Sequence, residues 1–483
     1  MTDQSAKQMV EHRITSAWMR VGVQYLPFAD AAQGSIGLVR LLRLSLFQVS
    51  VGLAMVLLNA TLNRVMIVEL GVASSLVAFM IALPVLFAPF RVLIGHRSDH
   101  HRSFLGWRRL PYMWFGTLLQ YGGLAIMPFA LLILTGDANG PIWVGEMAAA
   151  VSFLMVGAGL HTTQTSGLAL AADLVNEDKR PRMVAFMYVI LLMGMGLSAL
   201  VLGLLLEDFS EVRLIQVIQG CAVATMVINV VALWKQEGRA ARVKKPGTDR
   251  PSLIQSWQQF SSQGRSARLL VAVALGSAAF SMQEVLLEPY GGEILGLSVA
   301  STTMLTALLS AGTIAGFMLA GYALTHGYGS CFVAAMGGLV GLAAFPAVIF
   351  SDAIASVTLF QTGSVLIGFG TGLFLIGTLT AAMDLAKDGA SGLAMGTWGA
   401  AYATATGCAI ALGGVIRDWI GAAAVRGTLG EALDDRATGY IAVYTIEILF
   451  IFVMLIAIGP LVRHGRIPRR ASRNTIGLAE YPG

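Results

Sequence analysis

Twelve apolar runs, separated by short polar breaks, cover more than half of this 483-residue chain. A helix that crosses the hydrocarbon core of a bilayer needs about 20 predominantly apolar residues, and each run reaches that length. We therefore predict an all-α membrane protein with twelve transmembrane helices. The runs occupy residues 44–63, 72–94, 110–134, 146–171, 184–206, 213–234, 268–288, 300–324, 330–350, 356–383, 393–416 and 440–462.

The composition excludes a water-soluble enzyme. Charged residues make up 12% of the chain, whereas soluble domains carry about 25%. No loop is long enough to hold a catalytic domain, and the sequence contains no nucleophile elbow, P-loop or HExxH zinc motif. We predict a protein that is not an enzyme and that acts within the bilayer or at its surface.

Lysine and arginine are concentrated on one side of the predicted membrane protein. The positive-inside rule places such segments in the cytoplasm, together with both termini. The net charge of +5 is thereby explained without a nucleic-acid partner, because basic loops lie beside anionic lipid headgroups. The basic segments are the N-terminal tail, the loops 95–109, 177–182 and 235–268, and the C-terminal tail.

The longest basic segment lies between the sixth and seventh runs and divides the chain into two halves. Residues 168–174 at the end of run four resemble residues 379–385 at the end of run ten, which suggests an internal repeat. Parallel six-helix repeats are typical of the major facilitator superfamily. The predicted domains are a cytoplasmic N-terminal segment (1–43), a six-helix bundle (44–234), a basic cytoplasmic linker (235–267), a second six-helix bundle (268–462) and a cytoplasmic tail (463–483).

The N-terminal segment contains an amphipathic stretch. Met9, Ile14 and Trp18 recur with near-helical spacing, and Arg13 and Arg20 accompany them. This pattern is typical of a helix that lies on a membrane surface. Docking on the underside of the bundle is the alternative.

The loop after run two resembles the facilitator loop signature, with four extra residues before its second glycine. Its aspartate can cap a helix or pair with arginine at the cytoplasmic surface. The alternative is a merely solvated loop. The corresponding break after run eight, residues 321–329, has neither the carboxylate nor the arginines. The signature residues are Gly95, Asp99, Gly106, Arg108 and Arg109.

Charged residues inside the runs are candidates for function, because charges are costly in a bilayer. Glu284, preceded by Gln283, lies deeper than Arg64, Arg91 and Glu288 and is the better candidate for a site. Arg64, Arg91 and Glu288 lie near the ends of their runs, where long side chains can reach the interface. Glu284 and Glu288 are expected at an i,i+4 spacing on one helix, and Glu447 lies in run twelve.

Run four carries the densest polar stretch, residues 161–166. A lone histidine such as His161 can bond between helices, contact a ligand or coordinate a metal as a neutral imidazole. We reject a dedicated metal site, since no carboxylate–histidine cluster offers a closed set of ligands. His96, His100 and His101 lie in a basic loop that would repel a cation.

Ten segments of the chain carry a specific pattern of motifs. They are residues 26–32, 40–52, 62–70, 87–91, 94–99, 105–112, 173–174, 180–185, 283–292 and 477–483, including Leu62-Asn63-Arg64, Arg180-Pro-Arg182 and Gln283-Glu284-Val-Leu-Leu-Glu288-Pro-Tyr. Together these segments resemble the PucC/LhaA family of purple phototrophic bacteria. The resemblance spans nearly the whole sequence and is weakest around residues 417–440.

The resemblance implies a facilitator-type fold that serves as an assembly factor for light-harvesting antenna complexes. Its implied cargo is bacteriochlorophyll a, delivered to nascent antenna α and β polypeptides in the bacterial inner, intracytoplasmic membrane. The reaction centre–core antenna complex and the pigment-synthesis or insertion machinery are further implied partners. Within this interpretation, the first candidates for pigment contact are His161 and Gln164, followed by Gln283 and Glu284.

A second group of residues is expected to be structural, holding the cytoplasmic ends of the first bundle together. The expected structural residues are Gly95, Asp99, Gly106, Arg108, Arg109, Asp173, Arg180 and Arg182.

The alternative function is a proton-coupled secondary transporter of a small apolar compound or tetrapyrrole, with Glu284 as the proton carrier.

Overall fold

The computed structural model describes residues 38–86, 109–136, 140–174, 180–234, 236, 264–385 and 391–464. In these residues the regular structure is helical throughout. Eleven of the described helices are long and apolar enough to cross a membrane, and Ser74–Val85 is a shorter apolar helix. Each predicted run overlaps helical residues of the described chain, which confirms an all-α, multi-pass membrane protein.

The first half contains six helices, of which the first continues beyond Val56 in two π-helical segments, Leu57–Leu62 and Val65–Glu69. This first span therefore begins earlier and ends later than the predicted run 44–63. The helices are α1 (Leu38–Val56), α2 (Ser74–Leu86), α3 (Leu110–Leu134), α4 (Ile142–Asp173), α5 (Arg180–Leu205) and α6 (Glu211–Leu233).

The second half also contains six spans, but its first span is interrupted. A 3₁₀ turn at Met282–Val285 separates α7 from α8. The helices are α7 (Gly264–Ser281), α8 (Leu287–Glu293), α9 (Val299–Thr325), α10 (Ser330–Ala353), α11 (Val357–Leu385), α12 (Ser391–Val425) and α13 (Thr438–His464), with a 3₁₀ turn at Glu431–Leu433 before α13.

The helices pack as two bundles of six spans. In the first half α3 packs on α4 and α6, and α1 packs on α5 and α6; in the second half α11 packs on α9 and α10, and α13 packs on α7 and α10. The halves meet where α2 packs on α12 and α5 packs on α9. The domain boundaries stay a prediction, because most of the linker lies outside the described residues.

Small residues allow close contact between the helices. A Cβ on Gly414 of α12 would lie 2.6 Å from the backbone oxygen of Ser74 at the start of α2, and one on Gly312 of α9 would lie 2.2 Å from that of Val365 in α11. Such glycines are typical of membrane helices, where close packing replaces the hydrophobic drive of water. We call the end at which α1 begins and α13 ends the terminal end, and the opposite end the far end.

Candidate functional site

The first span of each half departs from α-helical geometry at the level of its polar residues. After α1 the chain forms π turns around Thr61, Asn63 and Arg64, and after α7 it forms a 3₁₀ turn that contains Gln283 and Glu284. Interrupted helices that meet between two repeats form the binding sites of many transporters, and π segments are frequent at functional sites. The region between these two spans is therefore the candidate site.

The interruption in the seventh span follows from Pro289. Proline has no backbone N–H, so the carbonyl four residues earlier, that of Val285, loses its helical donor. The side-chain amide of Asn63 donates to this carbonyl oxygen at 2.9 Å. A polar residue of the first half thus satisfies a backbone group that the sequence of the second half leaves without a donor.

Arg64 lies beside Asn63 and also reaches the second half. Its guanidinium pairs with Glu69 and donates to the backbone oxygen of Leu297 at 3.1 Å. Close by, the hydroxyls of Thr61 and Thr303 lie 3.2 Å apart. Arg64 is only 4% exposed, so the interpretation that it reaches the membrane interface is wrong: the span continues to Glu69 and encloses it.

The irregular turn after α7 is also held by α13. The backbone N–H of Gln283 donates to Oε1 of Glu447 at 2.7 Å, and the Gln283 side chain donates to the backbone oxygen of Phe280 at 3.3 Å. Glu447 is fully buried. The buried Glu447 carboxylate, which is costly inside a bilayer, therefore accepts a hydrogen bond from a backbone N–H of the irregular turn.

The two glutamates of the seventh span differ from their predicted arrangement. Glu284 lies in the 3₁₀ turn and Glu288 in α8, so the two side chains do not share one continuous α-helix at an i,i+4 spacing. Glu288 is 4% exposed and accepts a bond from Thr306 at 3.2 Å, so its interface position is wrong as well. Glu284 is half-buried.

A charged network at the far end was missed by the sequence analysis. Arg417 of α12 pairs with Glu293 and with Asp418, and the Tyr440 hydroxyl donates to Glu293 at 2.5 Å. Asp418 also accepts from the backbone N–H of Ser75, at 2.6 Å, across the two halves. A carboxylate at the start of α2 satisfies a helix-terminal N–H and interacts favourably with the helix dipole.

The polar stretch of α4 lies within the first half. Thr163 accepts from the Gln120 side chain at 3.1 Å, which joins α4 to α3. His161 is half-buried and Gln164 is buried, one helical turn apart. The four candidate pigment contacts thus remain in two pairs, one on α4 and one, Gln283 with Glu284, at the turn after α7. Their roles in pigment contact stay a prediction.

Most of the expected structural residues lie outside the described residues or at their margins. Gly95, Asp99, Gly106, Arg108 and also Arg91 are outside them. Arg109 is buried immediately before α3. Asp173 ends α4, and Arg180 and Arg182 lie in the first turn of α5; only their backbone positions are described.

The repeat predicted from the sequence has a visible counterpart at Asp384. This residue, which matches Asp173 in the repeat, accepts from the Ser330 hydroxyl at the start of α10 at 2.7 Å. Within the described residues no three histidine, cysteine or acidic side chains could together hold a metal ion.

Comparison with known families identifies the group to which this chain is related. The family model described as PUCC protein matches residues 61–466. The chain belongs to the PucC family. A PucC protein of Rhodovulum sulfidophilum is 55% identical over 404 residues, covering 82% of this chain and 89% of the relative.

A further relative and a solved structure add to this result. A Rhodobacter capsulatus protein, named as an uncharacterized protein in the puhA-bchM intergenic region, is 52% identical over 467 residues, covering 96% of this chain and 98% of the relative. The inward-facing crystal structure of a bacterial homologue of the iron transporter ferroportin superposes with a TM-score of 0.65 at 15% identity, covering 88% of this chain and 100% of that one. This PucC-family chain therefore has a facilitator-type transporter fold.

Proposed function

We propose that this PucC-family protein is an assembly factor for the light-harvesting antenna of purple bacteria. It binds bacteriochlorophyll a and delivers it to nascent antenna α and β polypeptides in the membrane, without catalysis. The observation that carries the proposal is the family match over residues 61–466. The facilitator-type fold supplies the scaffold.

The chemistry of the pigment explains why such a carrier is needed. Bacteriochlorophyll has a flat apolar ring, a magnesium ion that takes an axial ligand and a long isoprenoid tail, so the free pigment does not dissolve in water. A membrane carrier needs apolar contacts for the ring and tail and one neutral ligand for the metal. Its affinity must stay moderate, about 1 μM or −8 kcal/mol, so that the pigment can be released.

The four candidate contacts differ in how accessible they are. His161 and Glu284 are half-buried, and each therefore keeps part of its surface open to a ligand. Gln164 and Gln283 are buried, although Oε1 of Gln283 has no hydrogen-bond partner in the described chain. We assign His161 or Gln164 first to the magnesium or a ring carbonyl, and Gln283 with Glu284 second.

The bonds between the halves lie towards the far end. A facilitator-type transporter exposes its site alternately to the two sides of the membrane by rocking one repeat against the other. Here the Asn63–Val285 and Asp418–Ser75 bonds join the halves at one end and stabilise one relative position of the halves. An assembly factor can use this position as a docking scaffold.

The location and the partners of the proposed carrier follow from its charge distribution and from the proteins that would receive the pigment. We propose that it resides in the intracytoplasmic membrane with both termini in the cytoplasm, where its basic segments face anionic lipid. Its partners there are the antenna α and β polypeptides, the reaction centre–core antenna complex, and the machinery for pigment synthesis or insertion.

Proton-coupled transport of an apolar compound or tetrapyrrole is the second candidate function. It is favoured by the half-buried Glu284 in the turn between α7 and α8 of a transporter fold. A carboxyl group in this position could carry a proton between the halves.

One purification separates the two functions. Protein isolated from photosynthetically grown membranes should carry bacteriochlorophyll and antenna polypeptides, and a deletion strain should lose antenna complexes. Normal antenna levels in that strain would overturn the assembly proposal. Proton-dependent uptake into liposomes that is abolished by Glu284→Gln would instead support transport.

A further inference from the structure

The turn between α9 and α10, at the terminal end, presents an exposed histidine among exposed aromatic rings. His326 follows the last residue of α9, and Gly327, with a φ of +88°, reverses the chain. Tyr322, Tyr328 and Phe332 around it are 59%, 56% and 40% exposed. This is the break after run eight that lacks the charges of the facilitator signature.

The orientation of the His326 ring is fixed by its neighbours. Nδ1 lies 2.8 Å from the backbone oxygen of Tyr322. Because a carbonyl oxygen only accepts, Nδ1 is the donor of this bond, and in the neutral tautomer that makes it, Nε2 keeps a lone pair. The Thr325 hydroxyl also lies near Nδ1, at 3.4 Å. Metal-binding histidines are typically oriented in this way, with the other ring nitrogen bonded to a carbonyl.

The imidazole ring is also held in place by stacking. The Tyr322 and His326 ring centroids are 3.9 Å apart, with an angle of 34° between the planes. Tyr328 and Phe332 form a second stacked pair at 5.8 Å and 20°. The turn thus combines one oriented ring nitrogen with flat apolar surfaces.

The segment is unusual in having no charge. Residues 321–329 contain no Asp, Glu, Lys or Arg, whereas the equivalent break at 95–109 contains four arginines and one aspartate. Because the turn carries no charge, it can contact a planar, apolar molecule without desolvating an ion. The amphipathic rings of Tyr322 and Tyr328 suit the membrane interface.

We infer that Nε2 of His326 is an axial ligand for the metal of a planar tetrapyrrole that docks at the α9–α10 turn. The inference rests on the proposed pigment function but names a site distinct from His161 and Glu284. One imidazole completes the coordination of a magnesium already held by four ring nitrogens. The aromatic side chains of the turn contact the ring, and the tail extends into lipid. A single ligand on an exposed turn keeps the complex short-lived.

The inference is tested with the full-length protein in lipid nanodiscs, titrated with bacteriochlorophyll a and with bacteriopheophytin a, which lacks the magnesium. In His326→Asn the side-chain amide can still donate to the Tyr322 carbonyl, but the imidazole nitrogen is lost. We expect this variant to bind bacteriochlorophyll on the order of tenfold more weakly and bacteriopheophytin unchanged. The absorption spectrum of the bound pigment should change with the loss of the axial ligand.

His161→Asn serves as the matched variant at the other candidate site. If the wild type binds bacteriochlorophyll and His326→Asn binds both pigments as the wild type does, the site at the turn is overturned while the proposed function stands. If the wild type binds neither pigment, pigment carriage itself is overturned. An equal loss for both pigments would also contradict metal ligation, since it would indicate a defect that does not involve magnesium.

Discussion

The side-chain amide of Asn63 donates to the backbone oxygen of Val285, 2.9 Å away in the opposite half of the molecule. These residues lie 222 positions apart in the sequence. Pro289 removes the helical donor for this oxygen, so the first half supplies it instead. The interruption of the seventh span is therefore stabilised jointly by its own proline and by a residue of the first span.

This relationship predicts that Asn63 and Pro289 are energetically coupled. Asn63→Leu leaves the buried Val285 carbonyl without a donor, which should destabilise the protein by about 1–3 kcal/mol. In a Pro289→Ala background, residue 289 regains its N–H and can donate to Val285, so the same substitution should cost less than about 1 kcal/mol. Thermal unfolding of the four proteins in detergent measures this coupling.

Asn59→Leu, which alters a half-buried amide one turn earlier in the same span, is the control for loss of polarity. It should cost the same in both backgrounds. An equal cost of Asn63→Leu in the two backgrounds would mean that the bond does not replace the one that proline removes.

Glu447 should act as a hydrogen-bond acceptor for the turn after α7. Glu447→Gln keeps an acceptor oxygen for the backbone N–H of Gln283, whereas Glu447→Met removes it. We expect the Met variant to be less stable than the Gln variant by about 1–3 kcal/mol. Retention of monodisperse protein after heating compares the two. Equal losses would indicate that the acceptor at position 447 is dispensable.

The contact between α9 and α11 should not tolerate even one added methyl group. A Cβ on Gly312 would lie 2.2 Å from the backbone oxygen of Val365, which cannot move as a flexible side chain would. Gly312→Ala should therefore strongly reduce the amount of folded protein in the membrane. Gly220→Ala on α6 is the matched control, because no atom lies within 4 Å of its Cβ position. Comparable amounts of both variants would contradict this packing.

Asp384 should stabilise the folded protein and should not determine which pigment is bound. Asp384→Ala removes the acceptor for Ser330 at the start of α10, whereas Asp384→Asn keeps an oxygen there. We expect the Ala variant to lower the protein level in the membrane while the ratio of bound pigments stays constant, with the Asn variant in between. Immunoblots and pigment extraction measure the two quantities. The same outcome is expected for Asp99, Arg108, Arg109, Asp173, Arg180 and Arg182.

The fold could be predicted because span length is a local property. A run of about 20 apolar residues is long enough to span the bilayer as a helix regardless of its neighbours, so twelve runs predict twelve helices. The ends of the helices were less predictable. Arg64 and Glu288 lie near the ends of apolar runs, but the helices continue to Glu69 and Glu293 and enclose both side chains. Hydropathy alone does not reveal that a charged residue will have partners from another helix.

The candidate site could be predicted only in part. Pro289 is visible in the sequence and indicates an interruption near Val285, yet its partner Asn63 is an uncharged residue on a distant span. The network of Arg417, Glu293 and Asp418 likewise joins residues whose proximity depends on helix packing. The charge of a residue and its depth in an apolar run identify candidate site residues. Which of them pair across the two halves can be known only from the three-dimensional arrangement of the helices.

The contact between Arg40 and Gln236 has a consequence for biogenesis. Arg40, in the first turn of α1, donates to the side-chain oxygen of Gln236 at 3.2 Å and to its backbone oxygen at 2.5 Å, just after α6. The first half can therefore close on itself while the ribosome is still translating the second half. The amide of Asn63 finds its acceptor, the Val285 oxygen, only after α7 and α8 have entered the bilayer, so this bond between the halves forms after the first half has closed.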